Sequence, residues 1–249
     1  MKEEIRYGKQ KIEFDLIYMD RKTLGITVHP DRSVEVKAPA DASREKIFQK
    51  VRSRASWIVD QRRYFASFEP RRRPFLYKSG ESHYYLGRQY LLKIRTPEAA
   101  VDQGLIRDTV PVPKKGLVHY HRNHLMVITT DPSPTRVRSL LEDWYQGRAR
   151  IKFGEYAAPL IERFRDHGVE PRDIQIRKMK TRWGSCSTRG TITLNPDLIK
   201  APKACIEYVI LHELCHLIHR NHTAEFFALL SREMPDWEKW KEKLERFMA

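Results

Sequence analysis

The segment His212-Glu-Leu-Cys-His216-Leu-Ile-His-Arg-Asn-His222 decides how the rest of the chain is interpreted. On an α-helix, residues four positions apart lie on the same face. His212 and His216 therefore point the same way, and their imidazoles can hold one metal ion between them. Glu213 follows the first histidine directly, which places a carboxylate beside such an ion without making it a ligand. The spacing predicts a metal site with a general base next to it.

A third ligand requires the helix to end. Six residues of continuous helix rotate by about 600°, so His222 would face away from His216. We expect a break at His219-Arg220-Asn221, because Asn tolerates a left-handed conformation at a helix end. Many zinc proteases with a longer form of this motif have Gly where this chain has His219. His219 and Glu225 are the alternative third ligands.

Zinc is the metal that this pattern favours. It suits imidazole nitrogen, and a catalytic zinc keeps three protein ligands and one open position. The alternative is an amphipathic helix whose histidines are satisfied by ordinary hydrogen bonds. Residues 206–211, just before the motif, are apolar enough for a buried helix, as an active-site helix requires. The sequence therefore favours a zinc cofactor over that alternative.

The composition is typical of a soluble protein with a charge-rich surface. The 249 residues are 41% hydrophobic and 32% charged, enough for one large core or two small ones. The first residues lack a signal-peptide core, and no apolar run approaches a membrane span. Cys186, Cys205 and Cys215 are an odd number without a C-x-x-C pair, so no disulfide framework is expected. We predict a cytoplasmic protein without a membrane partner.

The net charge of +15 is concentrated in the first half of the chain. Residues 1–131 carry 26 Lys and Arg against 16 Asp and Glu, whereas residues 132–249 carry 21 against 16. Such a surface attracts nucleic acid or nucleotides, although simple solvation explains it equally well. The candidate contact is one helix face and the run after it: Arg52, Arg54, Arg62, Arg63 and residues 71–73.

Residues 1–131 are predicted to form a β-rich domain with one long helix. Alternating apolar and polar residues indicate strands, which lie near residues 11–17, 26–29, 33–37, 82–95 and 124–129. Ser43 is a good N-cap for a helix that continues to about Phe68. His119 and His121 are expected on one face of a strand and His124 on the other, which favours surface roles over a second metal site.

Asp131-Pro-Ser-Pro134 is the clearest domain boundary, so residues 132–249 form the second predicted domain. The pattern after it is helical. Gly147, Gly154 and Pro159 predict a kink or a split into two helices.

A hairpin is predicted just before the metal helix. Residues 174–180 and 191–194 alternate as two strands around a Gly/Ser-rich turn. An extended peptide could add along the edge of such a sheet. Trp183 and Cys186 belong either to a packed turn or to the wall of the site. The last helices are expected to pack beneath the metal helix.

Several short motifs occur in a particular order, which is Arg182-Trp-Gly-Ser-Cys186, Leu194-Asn195, Tyr208-Val209, H-E-L-C-H, His222, Phe226-Phe227 and Pro235-Asp-Trp237. This order resembles the YgjP-like metallopeptidase family, whose relatives are the SprT and WLM zinc peptidases. The resemblance is dense over residues 174–245 and looser over the N-terminal half. It implies zinc bound by His212, His216 and His222, with Glu213 catalytic.

The resulting fold prediction is α+β, with a β-rich N-terminal domain followed by a zincin-like metallopeptidase domain. The predicted function is zinc-dependent hydrolysis of a peptide or protein substrate, with Glu213 as general base. Arg182, Trp183 and His219 are candidates for the site wall or for a donor to the oxyanion. The alternatives are a metal-dependent phosphohydrolase acting on nucleotides and a DNA-associated protease or binding module.

Overall fold

The computed structural model describes residues 1–8, 10–21, 23–29, 31–66, 74–104, 116–179 and 182–248. Contacts between Cα atoms divide the chain after Arg73 into two compact units. We call residues 1–73 the N-terminal unit and residues 74–248 the C-terminal unit. Each has its own cluster of buried hydrophobic residues.

The N-terminal unit is a four-stranded mixed sheet with two helices. Its elements are β1 Lys2–Tyr7, β2 Gln10–Met19, β3 Gly25–Val28, β4 Val34–Pro39, α1 Arg44–Ser53 and α2 Ala55–Ala66. The strand order is β1-β2-β4-β3, in which β2 and β4 are parallel and the other pairs antiparallel. Alternate residues of β2, such as Phe14 and Leu16, are buried against Ile47 and Val51 of α1 and Ile58 of α2.

The long helix predicted from Ser43 is two helices. Ser43 caps α1 as expected, and its side chain accepts a hydrogen bond from the N–H of Lys46. At Arg54 the backbone leaves the helical region, with φ −107° and ψ 7°, and α2 begins at the next residue. The predicted end at Phe68 and the arginine run 71–73 lie outside the described residues.

The first sheet of the C-terminal unit packs on a long helix. Its elements are β5 Ser82–Tyr85, β6 Arg88–Arg95, the short helix α3 Pro97–Asp102, β7 Leu117–His121, β8 His124–Ile128 and α4 Pro134–Arg165. The strand order is β5-β6-β8-β7. Leu125 and Val127 share one core with Leu141 and Tyr145 of α4. Because this sheet packs on α4, the contacts divide the chain at residue 73 and not at the predicted boundary of 131.

Gly147, Gly154 and Pro159 do not divide α4, whose described span is one continuous helix of 32 residues. Pro159 lies on the exposed side, and nothing lies within 4 Å of the position of a Cβ at Gly147 or Gly154. Buried residues along the helix, such as Phe153 and Leu160, pack against the core. Of the two predicted outcomes, the split into two helices is therefore wrong.

The second sheet differs from the predicted hairpin. Its strands are β9 Asp173–Ile176, β10 Gly184–Cys186 and β11 Thr191–Leu194, in the order β10-β11-β9. β11 pairs with β9 in parallel and with β10 in antiparallel orientation. The hairpin partner of β11 is therefore β10, which becomes an edge strand.

A short 3₁₀ helix and three α-helices complete the unit. They are the 3₁₀ helix Pro196–Lys200, α5 Lys203–Cys215, α6 Ala224–Glu233 and α7 Trp237–Met248. α5 is buried on nearly every side, as predicted, and contacts α4, α6, α7 and β10. The α+β prediction is confirmed. No helix in the described part of the chain is long and apolar enough to cross a membrane.

Candidate metal centre

The metal helix ends within the motif itself. α5 stops at Cys215, and His216 forms its C-cap with φ −69° and ψ −12°. The N–H groups of Leu217 and His219 bond back to the carbonyls of Leu214 and Cys215. The chain then leaves the helix direction, and His222 comes to lie beside His212. A break between His216 and His222 was predicted at residues 219–221, but the helix ends earlier, at Cys215.

Three histidine side chains converge at this break. The Nε2 atoms of His212 and His222 lie 3.0 Å apart, and one nitrogen of each of His212, His216 and His222 lies within 4.8 Å of the others. Tetrahedral zinc with bonds of about 2.0–2.1 Å requires nitrogens about 3.3 Å apart, so this donor set suits the ion. The ring of Phe226, fully buried, lies 4.7–5.0 Å from all three imidazoles and supports them.

A backbone carbonyl orients the second histidine. Nδ1 of His216 lies 3.0 Å from the carbonyl oxygen of His219, so Nδ1 donates and Nε2 is left to bind metal. His219 has no positive φ, which explains why this turn does not require Gly. Neither alternative ligand belongs to the cluster. The side chain of His219 does not line the cavity, and exposed Glu225 is hydrogen-bonded to Thr223 at the start of α6.

The carboxylate after the first histidine is buried and only partly satisfied. Glu213 is 5% exposed, and its Oε2 has no hydrogen-bond partner. Burial raises the pKa of Glu213 to about 7, and the positive charge of Arg182 opposes this shift. Nδ1 of His212 is also buried without a partner. Of the four such atoms among the described residues, two belong to this site, and unsatisfied buried groups are uncommon in folded proteins.

Gly184, the first residue of β10, lies directly against this carboxylate. A Cβ at Gly184 would be 2.6 Å from Oε1 of Glu213 and 2.7 Å from its Cγ, closer than atoms can approach. The edge strand and the Glu213 carboxylate can therefore lie this close only because residue 184 has no side chain. Gly184 belongs to the Arg182-Trp-Gly-Ser-Cys186 motif, but no local signal in the sequence reveals which side chain it faces.

His212, His216, His222 and Glu213 line a cavity of about 560 Å³, which we call the metal cavity. One wall is the start of β10 and the residues before it, so predicted wall residues Arg182 and Trp183 do line it. Arg220 holds the turn after β10 by donating to the carbonyls of Ser187 and Thr188, at 2.7 and 2.9 Å.

A second wall of the cavity was not predicted. It comes from α7, whose Lys241, Leu244 and Glu245 line the cavity. From the sequence, α7 was expected only to pack beneath α5. A signal was present, because positions 241, 244 and 245 share one helix face.

Most of the chain matches a known protein family. The family described as "YgjP-like, metallopeptidase domain" matches residues 22–247. The chain belongs to the YgjP-like metallopeptidase family. This confirms the resemblance that the motifs indicated. The YgjP-like protein is thus a metal-dependent peptidase, which acts on peptide or protein substrates.

Among solved structures, this YgjP-like chain is similar to the metallopeptidase zymogen abylysin from Pyrococcus abyssi. The two are 28% identical over 37% of this chain and 91% of that chain, with a TM-score of 0.32. No curated protein matches the sequence.

A second histidine group in the YgjP-like chain is arranged differently from the prediction. His121 pairs directly with His124 across the β7–β8 hairpin, and residues opposite each other in an antiparallel pair share a face. His119 lies two residues from His121 and therefore on that face too, contrary to the expectation that His124 points away. Within the described ranges, however, His212, His216 and His222 form the one group of three or more potential ligand residues whose atoms all lie within 4.8 Å of one another.

The basic face in the N-terminal unit is partly engaged within the chain. Arg62 donates from Nε to the carbonyl of Arg32 and from Nη2 to that of Glu13, both at 3.0 Å. Arg63 lies 3.6 Å from Asp60. Arg62 therefore helps to hold the sheet and the helix of this unit together.

Proposed function

We propose that this YgjP-like protein is a zinc peptidase in which His212, His216 and His222 bind the ion and Glu213 is the general base. The convergence of three imidazole nitrogens beside a buried carboxylate with an unpartnered oxygen carries this proposal. An all-imidazole donor set with an open fourth position is one that catalytic zinc prefers. Zinc bound there would supply Lewis-acid chemistry that acidifies water and polarises the substrate carbonyl.

Glu213 moves the proton in this scheme. Its Oε2 accepts a proton as water attacks the scissile carbonyl and delivers that proton to the leaving amine nitrogen. Burial keeps the pKa of Glu213 near neutral, where a carboxylate both accepts and releases a proton readily. Gly184 leaves the space that this carboxylate occupies, because a Cβ at position 184 would lie 2.6 Å from Oε1.

The walls of the cavity suit an extended peptide. β10 is an edge strand, and a substrate backbone can add to an edge strand by main-chain hydrogen bonds. Arg182 lies just before β10 and lines the cavity, so we assign it, rather than His219, as the donor to the oxyanion. Trp183 supplies part of the wall.

Replacement of Glu213 by Gln tests the proposal. Loss of the base should lower kcat/KM on a casein-like protein by about 10²–10⁴-fold, while elemental analysis still finds one zinc per chain. Glu207→Gln is the matched control, since Glu207 lies on the same helix outside the cavity lining and pairs with Lys203. A Glu213→Gln protein with full zinc and the original rate would remove Glu213 from this role.

Nucleic-acid binding and the cellular compartment were also predicted from the sequence. A nucleotide or nucleic-acid partner stays a prediction, and the inward contacts of Arg62 reduce the face available for it. A cytoplasmic setting is our proposal from the cysteines, because Cys186, Cys205 and Cys215 are all free and suit a reducing compartment.

A further inference from the structure

The α7 wall of the metal cavity carries a positive charge. Lys241 lines the cavity beside Leu244 and Glu245. The three proposed ligands His212, His216 and His222 line the same cavity, so the Lys241 side chain and the histidine cluster face one common space.

Lys241 differs from its neighbours on the same helix. Lys239 and Lys243 place their ammonium groups over the ring of Trp240, at 4.9 and 5.2 Å from its centroid. Of the three α7 lysines, Lys241 is the one that lines the cavity, and among the described residues it has no ion pair. Glu245, which has a partner of its own, lines the cavity one helical turn away.

The remaining cations of the cavity are arranged differently. Arg220 is bound to two carbonyls, and Arg182 lies near Glu213 at the β10 wall. Lys241 is thus the cation that α7 contributes to the cavity. A substrate bound in the cavity along β10 would share this space with Lys241.

We infer that Lys241 binds a carboxylate of the substrate and makes this enzyme prefer acidic peptides. The inference rests on the proposed peptidase function. Lys241 is an exposed side chain on the cavity wall, so its attraction for a carboxylate is screened by water and salt and should give a modest preference over an uncharged group. The chain's net charge of +15 also attracts acidic substrates over a longer range. The carboxylate can belong to an Asp or Glu side chain or to the carboxyl terminus of the peptide.

Matched peptides test this preference on the zinc-loaded full chain. Their sequence is taken from a cleavage site mapped in casein, and one residue at a time near the scissile bond is Glu, Gln or Lys. Each peptide is made with a free and with an amidated carboxyl terminus, which separates the two sources of the carboxylate. We expect kcat/KM for a carboxylate-bearing peptide to exceed that of its neutral match about fivefold, equivalent to about 1 kcal/mol.

Variants of Lys241 test whether its charge causes the difference in kcat/KM between the carboxylate-bearing and the neutral peptides. Lys241→Gln should bring the ratio close to one, and Lys241→Glu should shift the preference toward the Lys peptide. Lys243→Gln, on the same helix but over Trp240, should keep the wild-type ratio. Raising the ionic strength should reduce the wild-type ratio, as a purely structural role of Lys241 would not predict.

The outcomes separate the two proposals. A wild-type ratio near one, or a ratio that persists in Lys241→Gln, overturns the inference and leaves the peptidase standing. A wild-type preference for Lys peptides also overturns it and assigns selection to Glu245. Failure of the zinc-loaded wild type to cleave casein or any peptide overturns the proposed function, and the inference with it.

Discussion

Two cavities of similar size lie in the C-terminal unit, and they differ in how their polar groups are partnered. The metal cavity is about 560 Å³, and a second cavity of about 490 Å³ lies between α4, the 3₁₀ helix and residues near β5. Both contain a buried histidine or carboxylate and several cations. Size and charge alone therefore do not distinguish them.

The polar groups of the second cavity pair with one another. Asp197 is paired with Lys178 and lies 2.7 Å from Nζ of Lys200. The hydroxyl of Tyr145 donates to the carbonyl of Tyr84 at 2.8 Å. Arg138, on the same rim, pairs with Glu142 at 3.0 Å.

The metal cavity leaves its key atoms without partners. Nδ1 of His212 and Oε2 of Glu213 are buried and unpaired, and Lys241 makes no ion pair with a described residue. Folded proteins satisfy their buried polar groups unless a function requires otherwise. Buried polar atoms without a hydrogen-bond partner, rather than cavity volume, therefore indicate which of the two cavities is the candidate reaction site.

The strongest test of this contrast is removal of one cluster histidine. His222→Ala should lower the zinc content from about one per chain to much less and abolish hydrolysis, because two imidazoles do not retain the ion tightly. His219→Ala should keep both zinc and activity, since only its backbone carbonyl contacts His216. Elemental analysis after dialysis provides the measurement. Unchanged zinc in His222→Ala would move the third ligand elsewhere.

A smaller effect on activity is expected from a change at Gly184, which lies against the Glu213 carboxylate. Gly184→Ala should push Glu213 aside and lower kcat/KM about 10²-fold, because small displacements of a catalytic group have effects of that order. Zinc content should not change. Gly154→Ala is the control: its Cβ would meet nothing within 4 Å, and it should stabilise α4 by about 0.5–1 kcal/mol. Equal activity in the two variants would contradict the assigned contact.

The smallest effect on activity should come from the second cavity. Asp197→Asn should lower the free energy of unfolding by about 1–2 kcal/mol and leave kcat/KM within about twofold. Burial raises the pKa of Asp197, but Lys200 and Lys178 outweigh burial and the net pKa is lowered. The wild-type advantage should therefore be present above the unfolded pKa of about 3.9 and disappear as pH falls through the lower folded pKa. Denaturant melts at several pH values measure it, and a large loss of activity would make this cavity part of the site.

Local spacing made the histidine cluster predictable. The periodicity of α5 and the position of His222 indicated a helix, a break and a third histidine, because these features lie within eleven consecutive residues. Ser43, the N-cap of α1, was readable for the same reason.

Contacts between distant segments were not predictable. The parallel pairing of β9 with β11, the approach of Gly184 to Glu213 and the wall formed by Lys241 all join segments separated in sequence. Local signals misled where packing overrides them: Gly147, Gly154 and Pro159 suggested that α4 could be split, yet it is one continuous helix packed along the core.

The bond from His216 to the carbonyl of His219 has a consequence for mutational tolerance. Every amino acid supplies a carbonyl, and the backbone at position 219 lies outside the left-handed region that favours Gly. Substitution at this position should therefore be nearly neutral for metal affinity, whatever the incoming side chain, Pro excepted. A search pattern that demands one residue type there would reject functional sequences, because the turn encodes its geometry in the main chain.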